Sequence, residues 1–131
     1  MTIMKKLMLA TFIGSLLAGA GAAYAGSVDN TVVTFGTTSG LPYAKGTLRA
    51  VRNSSDSTQY IGCSRYAYDT GSSSIVCYAM RSDGSSRSCQ TSNDQMMRVA
   101  ETLNPAAYLY FVVNSDGSCN RVITALSSDD L

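Results

Sequence analysis

The sequence predicts a mainly β domain, an antiparallel meander or sandwich carrying one short amphipathic helix and two disulfides. Three observations predict it. Polar turns ending in glycine recur between strand-like runs, the four cysteines are even in number, and a single stretch has helical periodicity.

Each element follows from its residues. Positions 31–35 (Thr-Val-Val-Thr-Phe) are β-branched and aromatic and predict the first strand. Positions 36–45 hold Gly36, Gly40 and Pro42 and predict a break. Positions 46–53 alternate Leu48 and Ala50 with Thr47, Arg49 and Val51, which predicts a second strand. The short polar side chains of 53–57 predict a turn, because they satisfy nearby backbone groups. Positions 69–73, 82–86 and 115–119 place Gly71, Gly84 and Gly117 near the end of a polar run. A three-residue hairpin loop needs a left-handed residue at that point, and glycine takes it without steric cost. The three turns predict hairpins among strands at 59–68, 74–81, 86–91, 108–114 and 120–127.

One segment differs. Ser92-Asn93-Asp94-Gln95 reads as a capping box, the Ser92 hydroxyl accepting from the Gln95 amide. Met96, Val99, Ala100 and Leu103 then share one helical face, and Asn104-Pro105 stops the helix predicted over 93–103.

The turns set the cysteine registers. A hairpin centred on Thr70 places Cys63 opposite Cys77, and one centred on Asp83 places Cys77 opposite Cys89. A two-residue Asp83-Gly84 turn would instead put Cys89 on the other face. The favoured pairing is Cys63–Cys77 with Cys89–Cys119, while Cys77–Cys89 and the third connectivity stay open. With no histidine and no C-x-x-C pair, neither a metal site nor a cofactor is expected.

Residues 1–25 predict a cleaved Sec-type signal peptide. Lys5 and Lys6 supply positive charge, 7–17 form an apolar run too short for a stop-transfer helix, and Ala23-Tyr24-Ala25 has the small-x-small cleavage pattern. No cysteine follows Leu16-Leu17-Ala18-Gly19, which excludes lipidation there. Residues 26–131, about 106 in number, then form a single exported domain in the periplasm or outside the cell, where thiols pair. Loss of the two lysines turns the formal charge from +1 to −1, which argues against a nucleic-acid partner. No second long apolar run suggests a membrane span. The oligomeric state is open.

Catalytic chemistry is poorly supplied. Without histidine, Ser–His and Cys–His sites cannot be built, and paired cysteines leave no thiol nucleophile. Glu101, the sole glutamate, reads as a solvated helix residue. Asp29, Asp56, Asp69, Asp83, Asp94, Asp116, Asp129 and Asp130 fall in turns, at a cap or in the tail, not as a converging carboxylate pair. Neither Asp83-Gly84 nor Asp116-Gly117 carries the repeated ligands of a calcium loop. The expectation is a protein that is not an enzyme. Lys45 and the arginines at 49, 52, 65, 81, 87, 98 and 121 are scattered and read as solvated.

Under the Thr70 register, Ile61, Cys63, Ala67, Ile75, Cys77 and Ala79 share a core-like face, with Arg65 and Arg81 toward its rim. The opposite face carries Tyr60, Tyr66, Tyr68, Val76, Tyr78 and Met80. Tyr60, Tyr66, Tyr68 and Tyr78 are therefore the candidate binding residues, for a protein or glycan partner. The competing reading is ordinary cross-strand packing beneath a second sheet or the helix.

The stretch Arg52-Asn53-Ser54-Ser55-Asp56-Ser57, then Tyr60-Ile61-Gly62-Cys63, Cys77, Cys89 and Asp116-Gly117-Ser118-Cys119, resembles small exported, disulfide-containing bacterial proteins of uncharacterised function. The resemblance covers most of the domain and implies a bacterial exported protein. Its motifs are turns and cysteines, so it transfers no catalytic residue. The expected function is a non-enzymatic binding protein of the envelope or extracellular space. A structural assembly subunit, or a small secreted inhibitor or hydrolase, are the alternatives.

Overall fold

In the computed structural model, residues 31–126 are described; the expected signal peptide lies outside them. Seven strands and two short helices follow in the order β1 (Thr34–Thr38), β2 (Leu41–Thr47), α1 (Leu48–Arg52), β3 (Tyr60–Ala67), β4 (Ser73–Met80), β5 (Ser86–Thr91), α2 (Asp94–Ala100), β6 (Tyr108–Val113) and β7 (Cys119–Ala125). The strands form two antiparallel sheets, β1-β2-β6-β7 and β3-β4-β5.

The three glycine-ended turns fold as predicted. Tyr68 and Ser72, Arg81 and Ser85, and Asn114 and Ser118 close three-residue loops by backbone hydrogen bonds of 2.8–3.0 Å. Gly71, Gly84 and Gly117 sit at φ 84°, 85° and 86°, where a side chain would be strained. These loops set the registers, with Cys63 opposite Cys77 and Cys77 opposite Cys89. The disulfides are Cys63–Cys77 and Cys89–Cys119.

Two expectations fail at the amino-terminal side. Where a break was predicted, Ser39 (φ 49°) and Gly40 (φ 77°) make a two-residue turn and the chain returns as β2. Pro42 is tolerated because pairing with β6 begins only at Tyr43, so its missing N–H interrupts no ladder there. The predicted second strand is the helix α1. Leu48 and Val51, three residues apart, both reach the core cluster, and the Leu48 amide donates to the Ala107 carbonyl at 3.0 Å. A five-residue helix is too short for its period to be distinguished from alternation.

Helix α2 forms with three corrections. Asn93, not Ser92, is the cap, its Oδ1 accepting from the Met96 amide at 3.1 Å. The buried face is led by Met97 and Ala100, with Met96, Val99 and Leu103 half-buried around them. The helix ends at Ala100, and Glu101 caps it.

The core lies between the sheets. Ala44, Leu109, Phe111 and Val122 from the four-stranded sheet face Ile61, Ile75, Cys77, Ala79 and Cys89 from the three-stranded one. Cys89–Cys119 joins β5 to β7, beside a parallel bridge between Gln90 and Ser118. Arg87, expected to be solvated, is a second joint. Its Nη1 donates to the carbonyls of Gly36 (2.6 Å) and Tyr43 (2.8 Å), and its guanidinium lies 4.6 Å from the Phe35 ring centre. Buried carbonyls need a donor, and a planar cation supplies one while stacking on the ring. Glu101 is exposed, as expected, and pairs with Arg65 at the surface.

Candidate functional site

Strand alternation and register build the outer face of β3-β4-β5 in rows: Tyr60, Met80 and Ser86; Gly62, Tyr78 and Ser88; Ser64, Val76 and Gln90; Tyr66 and Ser74. No position in these rows carries a formal charge. Tyr60, Tyr66 and Tyr68 are 49%, 45% and 55% exposed, so no second layer covers them. Tyr78 is half-buried.

The four candidate residues are not one cluster. Tyr60 and Tyr78 meet with ring centres 5.8 Å apart and planes tilted 50°, an arrangement that suits the aromatic quadrupole. The Tyr60 hydroxyl reaches over Gly62, where an added Cβ would lie 3.2 Å from it. Tyr66 lies six residues along the same strand, roughly 20 Å away at about 3.3 Å per residue. Tyr68 stands at the hairpin that closes β3 against β4. The result is an elongated neutral strip with a paired-ring end.

Next to Tyr60, a cleft of about 690 Å³ opens between α1, the start of β3 and the loop after α2. Val51 and Ile61 form a buried floor with half-buried Leu48 and Leu103, and Arg49, Arg52, Asn53, Asn104 and Pro105 complete the lining. The sequence reading missed this site because it placed α1 as a strand. The available signal was Leu48/Val51 and Arg49/Arg52, each at the i, i+3 spacing that puts both members on one side of a helix.

The acidic groups serve turns. Three hydrogen bonds, led by the Gln59 side-chain amide and followed by the Gln59 and Thr58 backbone amides, hold the Asp56 carboxyl at about 2. Asp83 is lowered by the Ser85 hydroxyl and amide and by Arg81, and Asp116 by the hydroxyl and amide of Ser118. Among the described residues, no three His, Cys, Asp or Glu side chains converge to hold a metal. All four cysteines are in disulfides, consistent with an oxidising compartment. Among the described residues, no helix is long and apolar enough to cross a membrane. No protein-family model, no curated protein and no solved structure matches this chain.

Proposed function

We propose that this is a bacterial exported protein, freed of residues 1–25, that works outside the cytoplasm as a non-catalytic binding module. Its ligand face is the outer side of β3-β4-β5, and its ligand is an extended neutral glycan. The carrying observation is that this face leaves Tyr60 and Tyr66 about half exposed while bearing no charge. A face that only needs solvation is ordinarily charged, whereas sugar rings stack on tyrosine and exchange hydrogen bonds with hydroxyls and amides such as those of Ser64, Ser88 and Gln90. The non-catalytic part rests on a chain without histidine, whose cysteines are all paired.

The chain has eight tyrosines and no tryptophan, so intrinsic tyrosine fluorescence reports binding directly. Neutral oligosaccharides should perturb it, and Tyr66→Ala should weaken binding about fivefold to tenfold, the weight of one aromatic contact, without shifting thermal unfolding. Neutral glycans that leave the signal unchanged would overturn the reading. Concentration-dependent oligomers buried through this same face would put an assembly subunit in its place.

A further inference from the structure

The cleft beside α1 differs from the tyrosine strip in shape, chemistry and charge, and needs a different occupant. Its volume of about 690 Å³ falls within the roughly 300–1,000 Å³ typical of small-ligand sites. The floor is aliphatic throughout: Leu48, Val51, Ile61 and Leu103. At its edge stand two arginines, Arg49 and Arg52, both on α1 and both exposed.

Four exposed arginines, Arg49, Arg52, Arg98 and Arg121, carry no internal partner among the described residues, and of these Arg49 and Arg52 are the two that line the cleft. Arg65 pairs with Glu101 and Arg81 with Asp83, while Arg87 is bonded to two backbone carbonyls. Arg49 and Arg52 have no carboxylate partner and no side-chain hydrogen bond among the described residues, and none of the residues lining the cleft is acidic. An aliphatic trough ending at two unpaired guanidiniums is complementary to a single molecule with a hydrocarbon body and a carboxylate head. Planar guanidinium matches carboxylate geometry in two parallel hydrogen bonds, and the trough removes the chain from water.

We infer that the cleft between α1, β3 and the α2–β6 loop binds a single-chain alkyl carboxylate, the fatty-acid class. Arg49 and Arg52 hold the carboxylate, and Val51, Ile61 and Leu103 cover the chain. Asn53 and Asn104 supply further polar contacts at the margin. The site shares only Tyr60 with the tyrosine strip and does not depend on the glycan reading.

The test is calorimetric titration of the intact, fully disulfide-bonded protein with octanoate, decanoate and dodecanoate below their micellar concentrations. Affinity should rise about fourfold per added methylene while the trough is filling, and the matching alkyl alcohols and alkyl trimethylammonium ions should bind at least tenfold more weakly. Arg49→Gln with Arg52→Gln, both exposed and outside the core, should bring carboxylate binding down to the level of the alcohol. Leu103→Trp should block both carboxylate and alcohol, and Tyr66→Ala should leave them unchanged. Carboxylate affinity that is independent of chain length, or that survives the double arginine substitution in a folded protein, would overturn the assignment. So would failure of all three carboxylates in a cleft that instead accepts an apolar peptide.

Discussion

Each sheet lays a tyrosine over a glycine on its outer face, and the two pairs are built differently. In the four-stranded sheet Tyr43 is the direct cross-strand partner of Gly36. A Cβ at Gly36 would lie 2.4 Å from both the Cζ and the hydroxyl of Tyr43, so the ring rests on bare backbone. Tyr110 fixes the ring from the other side at 5.1 Å, and the Lys45 ammonium lies 6.0 Å from its centre. In the three-stranded sheet Tyr60 reaches along its own strand over Gly62, and a Cβ added there would lie 3.2 Å from its hydroxyl and farther from its ring. Tyr43 is half-buried and part of the sheet; Tyr60 is half exposed and can yield. The same residue type thus does structural work on one sheet and leaves a surface available on the other. What decides between them is how the ring is held, not its identity.

This contrast requires the sheets to fold as one unit, and the largest expected effect tests that. Replacing Cys89 and Cys119 together with alanine removes the covalent link between β5 and β7. It should lower stability by about 3–4 kcal/mol on the loop-entropy estimate for a separation of 30 residues. Removing Cys63–Cys77, whose separation is 14, should cost roughly 0.7 kcal/mol less. Urea unfolding followed by circular dichroism measures both. Two separate transitions in the Cys89/Cys119 variant would show that the sheets are independently stable and that the linkage, not the shared core, makes them one domain.

The glycine pair comes next. Gly36→Ala forces a fixed ring off the backbone and should destabilise by about 1–3 kcal/mol, the range for overpacking a well-filled site. Gly62 is buried, but an added methyl meets only the end of the movable Tyr60 side chain, so Gly62→Ala should cost less than Gly36→Ala, about 1 kcal/mol or below. It should still alter the Tyr60–Tyr78 ring contact and so the tyrosine fluorescence. Equal costs at the two glycines would abolish the distinction between a structural and an available tyrosine.

How far this was legible in the sequence differs along the same line. Most of the three-stranded sheet was readable, because the glycine at 71 marks the loop that sets the β3–β4 register. The Asp83-Gly84 turn left two registers open for β5, and the structure takes the three-residue one. Cys63 opposite Cys77, and the common face of Tyr60, Tyr66 and Tyr78, follow from the β3–β4 register alone. The four-stranded sheet was read less well. Gly36 looked like a breaker because its reason for being glycine is a ring seven residues on, and Pro42 looked like one because its exemption depends on where β6 stops pairing. Both are tertiary facts. The cleft failed for a related reason: α1 spans little more than one turn, and its two-residue apolar stripe is consistent with either period. Arg87 gave no signal, since the carbonyls it satisfies lie 44 and 51 residues away.

The smallest effect concerns a joint between the two sheets that titrates. Asp56 accepts from the Gln59 side-chain amide (2.7 Å), the Gln59 backbone amide (2.7 Å) and the Thr58 amide (2.9 Å). Gln59 is thereby oriented so that its Oε1 accepts from the Val33 amide at 3.0 Å, just ahead of β1. These bonds favour the ionised carboxyl and lower it to about 2 from an ordinary 3.8. A carboxylate depressed on folding contributes stability that is complete above the unfolded value and is lost as the pH falls through the folded one. The Asp56 contribution should therefore be constant at pH 5 and above, and decline between about 4 and 2. Asp56→Asn keeps an oxygen for the amides but removes the ionisation, so it should flatten that part of the profile without unfolding the protein at neutral pH. Carboxyl NMR gives the direct check, with an Asp56 midpoint near 2 expected. A midpoint at the ordinary value would mean that the Gln59 contacts do not hold in solution, and that the edge strand of one sheet is not tied to the start of the other.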